Sequence, residues 1–397
     1  MTDRVPIDVE RVRAETPGVQ TCLHLNNAGA ALMPTSVARA VTEFIELESR
    51  IGGYEAAARE SERLDAVYDH VAQLIGAGRH EIAIMENATV AWDHAFYALE
   101  LKPGDRILTA EAEYAANYVA FLQRARRDGI EIDVVPSDER GLLDTVALEA
   151  MIDARVALIA VTWIPTNGGL VNPAAEIGRI ARKHGIPYLL DACQAVGQMP
   201  VDVEKLGCDF FSATGRKFLR GPRGTGFLYV REKWLETLEP AMIDHFAANW
   251  VSRDSYELRA DVRRFESWEN PYALRMGLGE AVRYAMNLGL PAIQRRAWGL
   301  AAELRAALGE RAPVHIHDPG EEPCAIVSFS IDGHDPYDLA AALRRDHINV
   351  SVSNPSSTRL DAEARNLPPV LRASPHYYND ETEIARFLAA FDRLIGL

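Results

Sequence analysis

From about residue 80 the chain alternates short apolar runs with longer segments of helical period. Residues 82–85, 105–108, 130–135, 156–162 and 186–190 read as strands, and residues 90–99, 118–128, 148–152 and 173–184 as the helices between them. Phe210-Phe211 and residues 227–230 supply two further strands. Strands separated by helices at this rhythm predict an α/β fold with a largely parallel sheet covered on both faces. Upstream, a helix-like segment reaches Glu15, and Pro17-Gly18 turns the chain. A short strand then breaks into Asn26-Asn27-Ala28-Gly29, and helices are predicted over 35–50 and 55–74. After about residue 235 the pattern loosens into aromatics mixed with charge, then predicts long helices over 272–288 and 293–308. Strands at 324–330, 348–353 and 370–374, with helices at 336–345 and 381–395, predict a smaller α+β unit.

In such sheets ligands bind beyond the carboxyl ends of the strands. Thr89, Tyr114, residues 162–166 and Asp191 fall there, and Lys217 follows the strand at Phe210-Phe211. An acid ending one strand and a lysine just after the next suit pyridoxal 5'-phosphate (PLP), which needs an imine-forming amine and a carboxylate against its ring nitrogen. Each residue also has a plainer reading. Lys217 among glycines can be solvated surface, and Asp191 can cap the segment that follows. Gln194 can reach the cofactor's phenolic oxygen or sit at the surface. Ala88-Thr89 opens a helix whose amides could hold a phosphate, or is an ordinary helix start. Thr214 is a second hydroxyl for that phosphate, and Thr166 a further cofactor contact. Tyr114 could stack on a flat ring or simply pack. Arg372 could bind a substrate carboxylate bidentately or pair with a structural acid.

Composition narrows the classes. A chain of 397 residues with a formal charge of −15 is long enough for more than one domain and is a poor partner for nucleic acid or an anionic membrane. Cys22, Cys193, Cys208 and Cys324 form no CxxC pair, which predicts free thiols in a reducing compartment and no metal site. The amino-terminal residues show no apolar targeting core, so a cytoplasmic location is expected. GPRGTG precedes a strand-like run, so it is not a dinucleotide fingerprint, and GxSxG is absent.

The segment DACQAVGQMPVDVEKLGCDFFSATGRKFLRGPRGTGFLYV, with LNNAGAALMP before it and RASPHYYN after it, resembles the class V aminotransferase family of fold-type-I PLP enzymes. The likeness includes cysteine desulfurases, selenocysteine lyases and isopenicillin N epimerase. PTNGGLVNP, GRKFLRGPRG and the SSTR segment draw it nearest the ergothioneine-type carbon–sulfur lyases and the cysteine S-conjugate enzymes of lincosamide biosynthesis. The resemblance implies a large domain with a seven-stranded sheet over residues 26–290, a small domain over 291–397, and an amino-terminal arm over 1–25. It casts Lys217 as the Schiff-base lysine, Asp191 as the ring-nitrogen partner and Gln194 as the phenolic-oxygen donor. Ala88, Thr89, Thr214 and Arg216 would face the phosphate, and Tyr114 would stack on the ring. Arg372 would bind the α-carboxylate, Asn26 would lie on the substrate side, and Arg359 would reach the substrate's distal group. A homodimer with shared active sites is implied, with residues 263–270 crossing between subunits.

Desulfurases of this family carry a nucleophilic cysteine in a small-domain loop. The corresponding stretch here, INVSVSNPSSTRLDAEARN, has none. The expectation is therefore a β-lyase that splits a cysteine S-conjugate, or its sulfoxide, into a thiol product, pyruvate and ammonia. An aminotransferase or decarboxylating deaminase, an epimerase and a non-catalytic homologue are the alternatives.

Overall fold

The computed structural model describes residues 6–397. Its strands, in chain order, are β1 Leu23–His24, β2 Ile82–Met85, β3 Arg106–Ala110, β4 Glu131–Val135, β5 Val156–Thr162, β6 Tyr188–Asp191, β7 Phe210–Thr214 and β8 Gly226–Val230. There follow β9 Ala248–Ser252, β10 Ser255–Leu258, β11 Val314–Ile316, β12 Val327–Ile331, β13 Ile348–Asn349, β14 Ser351–Ser353 and β15 Val370–Ala373. A seven-stranded sheet runs in the order β2-β8-β7-β6-β5-β3-β4. Only β8 is antiparallel to its neighbours in this sheet.

Neighbouring residues on its central strands enter different cores. Leu158, Leu189 and Phe210 join Trp92, Phe96 and Phe121 on one face. Ile159, Leu190 and Phe211 join the core on the other face, which continues into Val327, Phe329, Leu371 and Phe387. That is why these strands read as unbroken apolar runs: both faces are covered. The carboxyl ends of β3, β5 and β6 consequently converge at one edge.

The smaller sheet runs β11-β12-β15-β14 and is antiparallel throughout. Residues 348–353, expected as one strand, divide. β13 pairs in parallel with the amino-terminal β1, whereas β14 pairs with β15. The chain changes partner at Val350, a switch that alternation of residue type does not encode. Three strands were not expected. The hairpin β9–β10 lies in the loosely patterned region with Trp250 and Tyr256 exposed, and β11 is only three residues long. Among the described residues no helix is long and apolar enough to cross a membrane.

Candidate active site

Lys217 sits in the turn after β7, with 8% of its surface exposed. The turn is held from several sides. Ala31 N–H donates to the Arg216 carbonyl at 2.9 Å, and Gly221 N–H to Gly215 at 2.7 Å. The loop after β6 presses on it: a Cβ on Gly197 would lie 2.3 Å from Phe218 C and Leu219 N, and Gly197 has φ +94. Glycine is required there by both space and conformation.

Asp191 ends β6 and is buried. Its Oδ1 accepts from Cys193 N–H at 2.9 Å and its Oδ2 from the Asn117 amide at 3.0 Å. Burial raises its proton affinity, while Asn117, the Cys193 N–H and the nearby Lys217 charge act the other way. The same Asn117 Nδ2 donates to Glu113 at 2.8 Å. Neither Asn117 nor Glu113 was expected at the site, because two polar residues four apart at a helix start read as surface. Glu113 is buried, and its pKa is pushed up to about 7, chiefly by desolvation.

Tyr114 precedes the helix Ala115–Asp128 and is half-buried. Burial pushes its hydroxyl up, as do Cys193 and Asp191, and Arg216 and Arg372 pull it down. Gln194 donates to the Ala28 carbonyl at 3.2 Å, and its buried Oε1 has no partner.

At the expected phosphate pair, Asn87 caps the helix Ala88–Ala98, its Oδ1 accepting from Val90 N–H at 2.9 Å. The cap is thus the residue before the expected pair, and the Ala88 and Thr89 amides belong to the helix's unsatisfied first turn. A Cβ on Gly226 would lie 2.7 Å from Asn87 C, so β8 passes directly beneath that turn. Thr214, buried beside it, donates to the Thr225 carbonyl at 3.2 Å.

Arg372 lies in β15 and is buried. Its Nη1 donates to Thr166 O at 2.7 Å and Thr166 Oγ1 at 2.8 Å, and its Nε to Ser351 at 3.1 Å. Thr166 is thereby a support for this arginine. Desolvation lowers the guanidinium to about 10, with the Arg216 charge adding to the effect. Arg216 donates to the Gly29 carbonyl, so its side chain leans on the 26–29 loop. That loop is tied to the end of β15: Asn26 bridges Ser374, and Ala28 N–H donates to Ser374 Oγ at 2.9 Å. The buried Asn26 Oδ1 has no partner.

Arg359 lies in a groove that Glu113 also lines. It begins the short helix Arg359–Ala364, is 67% exposed and pairs with Glu363 at 3.0 Å. With Tyr118, Leu122, Ser356 and Leu360 it lines this groove, of about 220 Å³. Asn167, also unforeseen, anchors the preceding turn through Thr358 Oγ1 at 2.7 Å and Asn354 O at 3.2 Å. Behind the lysine turn, Arg220 is fully buried. It donates to Leu32 O and Tyr377 Oη at 2.7 Å and to Thr16 Oγ1 at 2.6 Å, and its guanidinium lies 4.4 Å from the Tyr378 ring centre.

The residues present fit PLP: a buried amine, a buried acid, an open helix start, an unpartnered amide oxygen and an arginine engaged by hydroxyls and a carbonyl stand around one cleft. Fold and site define a fold-type-I PLP-dependent enzyme. The family model described as aminotransferase class-V matches residues 23–387, and the chain belongs to that family. A probable cysteine desulfurase of Methanothermobacter thermautotrophicus is 30% identical over 395 residues, covering 98% of both chains. A cysteine desulfurase of Serratia proteamaculans is 31% identical over 400 residues, covering 97% of this chain and 98% of that one. The apo structure of cysteine desulfurase from Thermococcus onnurineus NA1 superposes with a TM-score of 0.91 at 29% identity, covering 100% of both chains.

Proposed function

We propose that the protein is a carbon–sulfur β-lyase acting on a cysteine S-conjugate or its sulfoxide. The relatives named above are desulfurases, which supports chemistry at a cysteine-like substrate. The observation that separates this chain from persulfide transfer is the small-domain loop. It holds no cysteine from Ile348 to Asn366, and it is folded into the turn Pro355–Thr358 and the helix Arg359–Ala364.

When bound, PLP supplies an electron sink that acidifies the Cα–H of an amine-bearing substrate. Lys217 would hold the cofactor through its amine, and its Nζ is the base that would take the substrate's Cα proton. Asp191 would keep the ring nitrogen protonated, and Tyr114 would stack on the ring. Gln194 serves the phenolic oxygen, while Ala88, Thr89, Thr214 and Arg216 serve the phosphate. Arg372 orients the α-carboxylate, with Asn26 on the same side. The electron pair left at Cα would form a Cα–Cβ double bond as the Cβ–S bond breaks with its own pair on sulfur. Sulfur takes up a proton and leaves as a thiol from a thioether, or as a sulfenic acid from a sulfoxide. Water converts the three-carbon remainder into pyruvate and ammonia.

The proposal includes a homodimer. Glu266 is anchored in its own chain by Tyr68 and Ile84 N–H, both at 2.8 Å, which supports Ser267, Trp268 and Glu269 standing exposed toward a partner. A division into a PLP-binding domain over 26–290 and a small domain over 291–397 is proposed with it. The pairing of β1 with β13 supports an arm on the small-domain side, of which residues 1–5 lie outside the described residues. Cytoplasmic residence is part of the same reading.

The test is to give PLP-loaded protein a panel of cysteine S-conjugates and their sulfoxides. Pyruvate appearing in step with the sulfur product is expected. Alanine formed from free cysteine would identify a desulfurase instead. A sulfur-bearing keto acid or aldehyde would identify transamination or deamination, an inverted amino acid would identify an epimerase, and no turnover of any substrate would identify a non-catalytic homologue.

A further inference from the structure

Behind the acid at the end of β6 lies a second carboxyl that the mechanism above does not use. Glu113 comes from the loop after β3, and five donors converge on it. Its Oε1 accepts from Tyr114 N–H at 3.0 Å, from the Asn117 amide at 2.8 Å and from the Thr162 hydroxyl. Its Oε2 accepts from Thr162 N–H at 2.9 Å and the Thr109 hydroxyl at 3.1 Å. This arrangement suits a carboxylate rather than an amide, because an amide nitrogen on the Oε2 side would face the Thr162 N–H donor to donor.

The pivot is Asn117. Its single NH₂ group donates one hydrogen toward Glu113 and the other toward Asp191 Oδ2, at 2.8 and 3.0 Å. A neutral amide can bridge two carboxylates in this way without adding charge, and all three residues are buried. An apolar residue at this position would take the side-chain donor from Asp191 Oδ2, while Glu113 Oε1 would keep Tyr114 N–H and the Thr162 hydroxyl.

We propose that Glu113 and Asn117 are positioning residues for the cofactor ring: Asn117, oriented by Glu113, fixes the Asp191 carboxylate that meets the pyridine nitrogen, and Glu113 places a second negative charge behind it. The proposal rests on the role assigned to Asp191. A buried negative charge in line with a protonated ring nitrogen favours the protonated form. Burial pushes the Glu113 pKa up to about 7, and the donors from Thr162, Asn117 and Tyr114 act the other way. The ionisable groups around it are Asp191 and Tyr188 from β6, Tyr114 on its own loop, and Tyr118 and Arg359 across the groove.

The test compares Glu113→Gln, Asn117→Leu, their combination and Asp191→Asn. The readouts are the pH titration of the cofactor's absorption band and equilibrium PLP affinity, with thermal unfolding as a fold check. Either relay variant is expected to move the titration down by roughly one pH unit and to weaken PLP by about tenfold. The double variant should go no further than the larger of the two single effects, because Glu113 acts on Asp191 through Asn117 as well as by its charge. Wild type should also show an inflection in PLP affinity near pH 7 that Glu113→Gln lacks. Folded variants that titrate and bind as wild type overturn the relay, as do additive effects. If Glu113→Gln does not fold, Asn117→Leu, which keeps both acids, decides alone. A shift in Asp191→Asn without one in the relay variants overturns only this inference. No shift in Asp191→Asn overturns it together with the role given to Asp191.

Discussion

The two ends of the cleft are built differently. At the acid end, Asp191, Asn117, Glu113 and Thr162 all come from the parallel sheet's carboxyl edge and the helix start beside it, and each is buried. At the arginine end, Arg372 is fixed by Thr166 and Ser351, but Arg216 and Asn26 stand on loops and retain unused polar capacity. Asp191 and Thr162 end strands of the large sheet and Asn117 stands in the first turn of its helix, whereas Arg216 and Asn26 stand on loops that join the two ends of the chain. The chemistry is therefore set by the sheet, while the choice of substrate can change with the loops.

Substitutions can break or sharpen that contrast. Lys217→Ala should cost the most, roughly 10⁴-fold in kcat, and remove the linked chromophore; retained turnover would abolish the acid end's claim to the chemistry. Asp191→Asn should lower kcat by about 10²-fold with little change in KM, as steady-state kinetics would show. Arg372→Leu should do the reverse. Losing a charge-assisted contact is expected to raise KM by roughly 10- to 100-fold, and an equal fall in kcat alone would blur the two ends. Arg359→Ala should leave KM within about twofold, because an exposed ion pair contributes little. A larger effect would extend the substrate end into the groove beside helix Arg359–Ala364.

A pH experiment tests the clamp between the ends. His376 is buried against the Phe218 carbonyl at 2.7 Å, and desolvation lowers its pKa to about 3. A histidine whose folded pKa is depressed contributes stability above its unfolded value, near 6.5, and that stability is lost as pH falls toward 3. Denaturant midpoints should therefore fall across this window, and less steeply in His376→Gln.

Much of this was legible in the chain. The strand at residues 156–162 has the expected bounds, and the order of strands and helices placed Asp191 and Lys217 at one edge. Glu113, Asn117 and Asn167 were not legible, since their burial is decided by β6 and the small-domain turn rather than by local pattern. The hairpin β9–β10 was missed because its apolar residues, Trp250 and Tyr256, point to solvent, where periodicity predicts polar ones.

Arg220 carries one more consequence. It fastens Thr16 and Leu32, near the start of the chain, to Tyr377, near its finish, directly beneath the lysine turn. During synthesis, that cation waits for a phenol made about 150 residues later. A polypeptide cut short before Tyr377 would own every residue of the large sheet yet lack the bolt that seats Lys217. Capture of the vitamin should therefore wait until the segment carrying Tyr377 has been made.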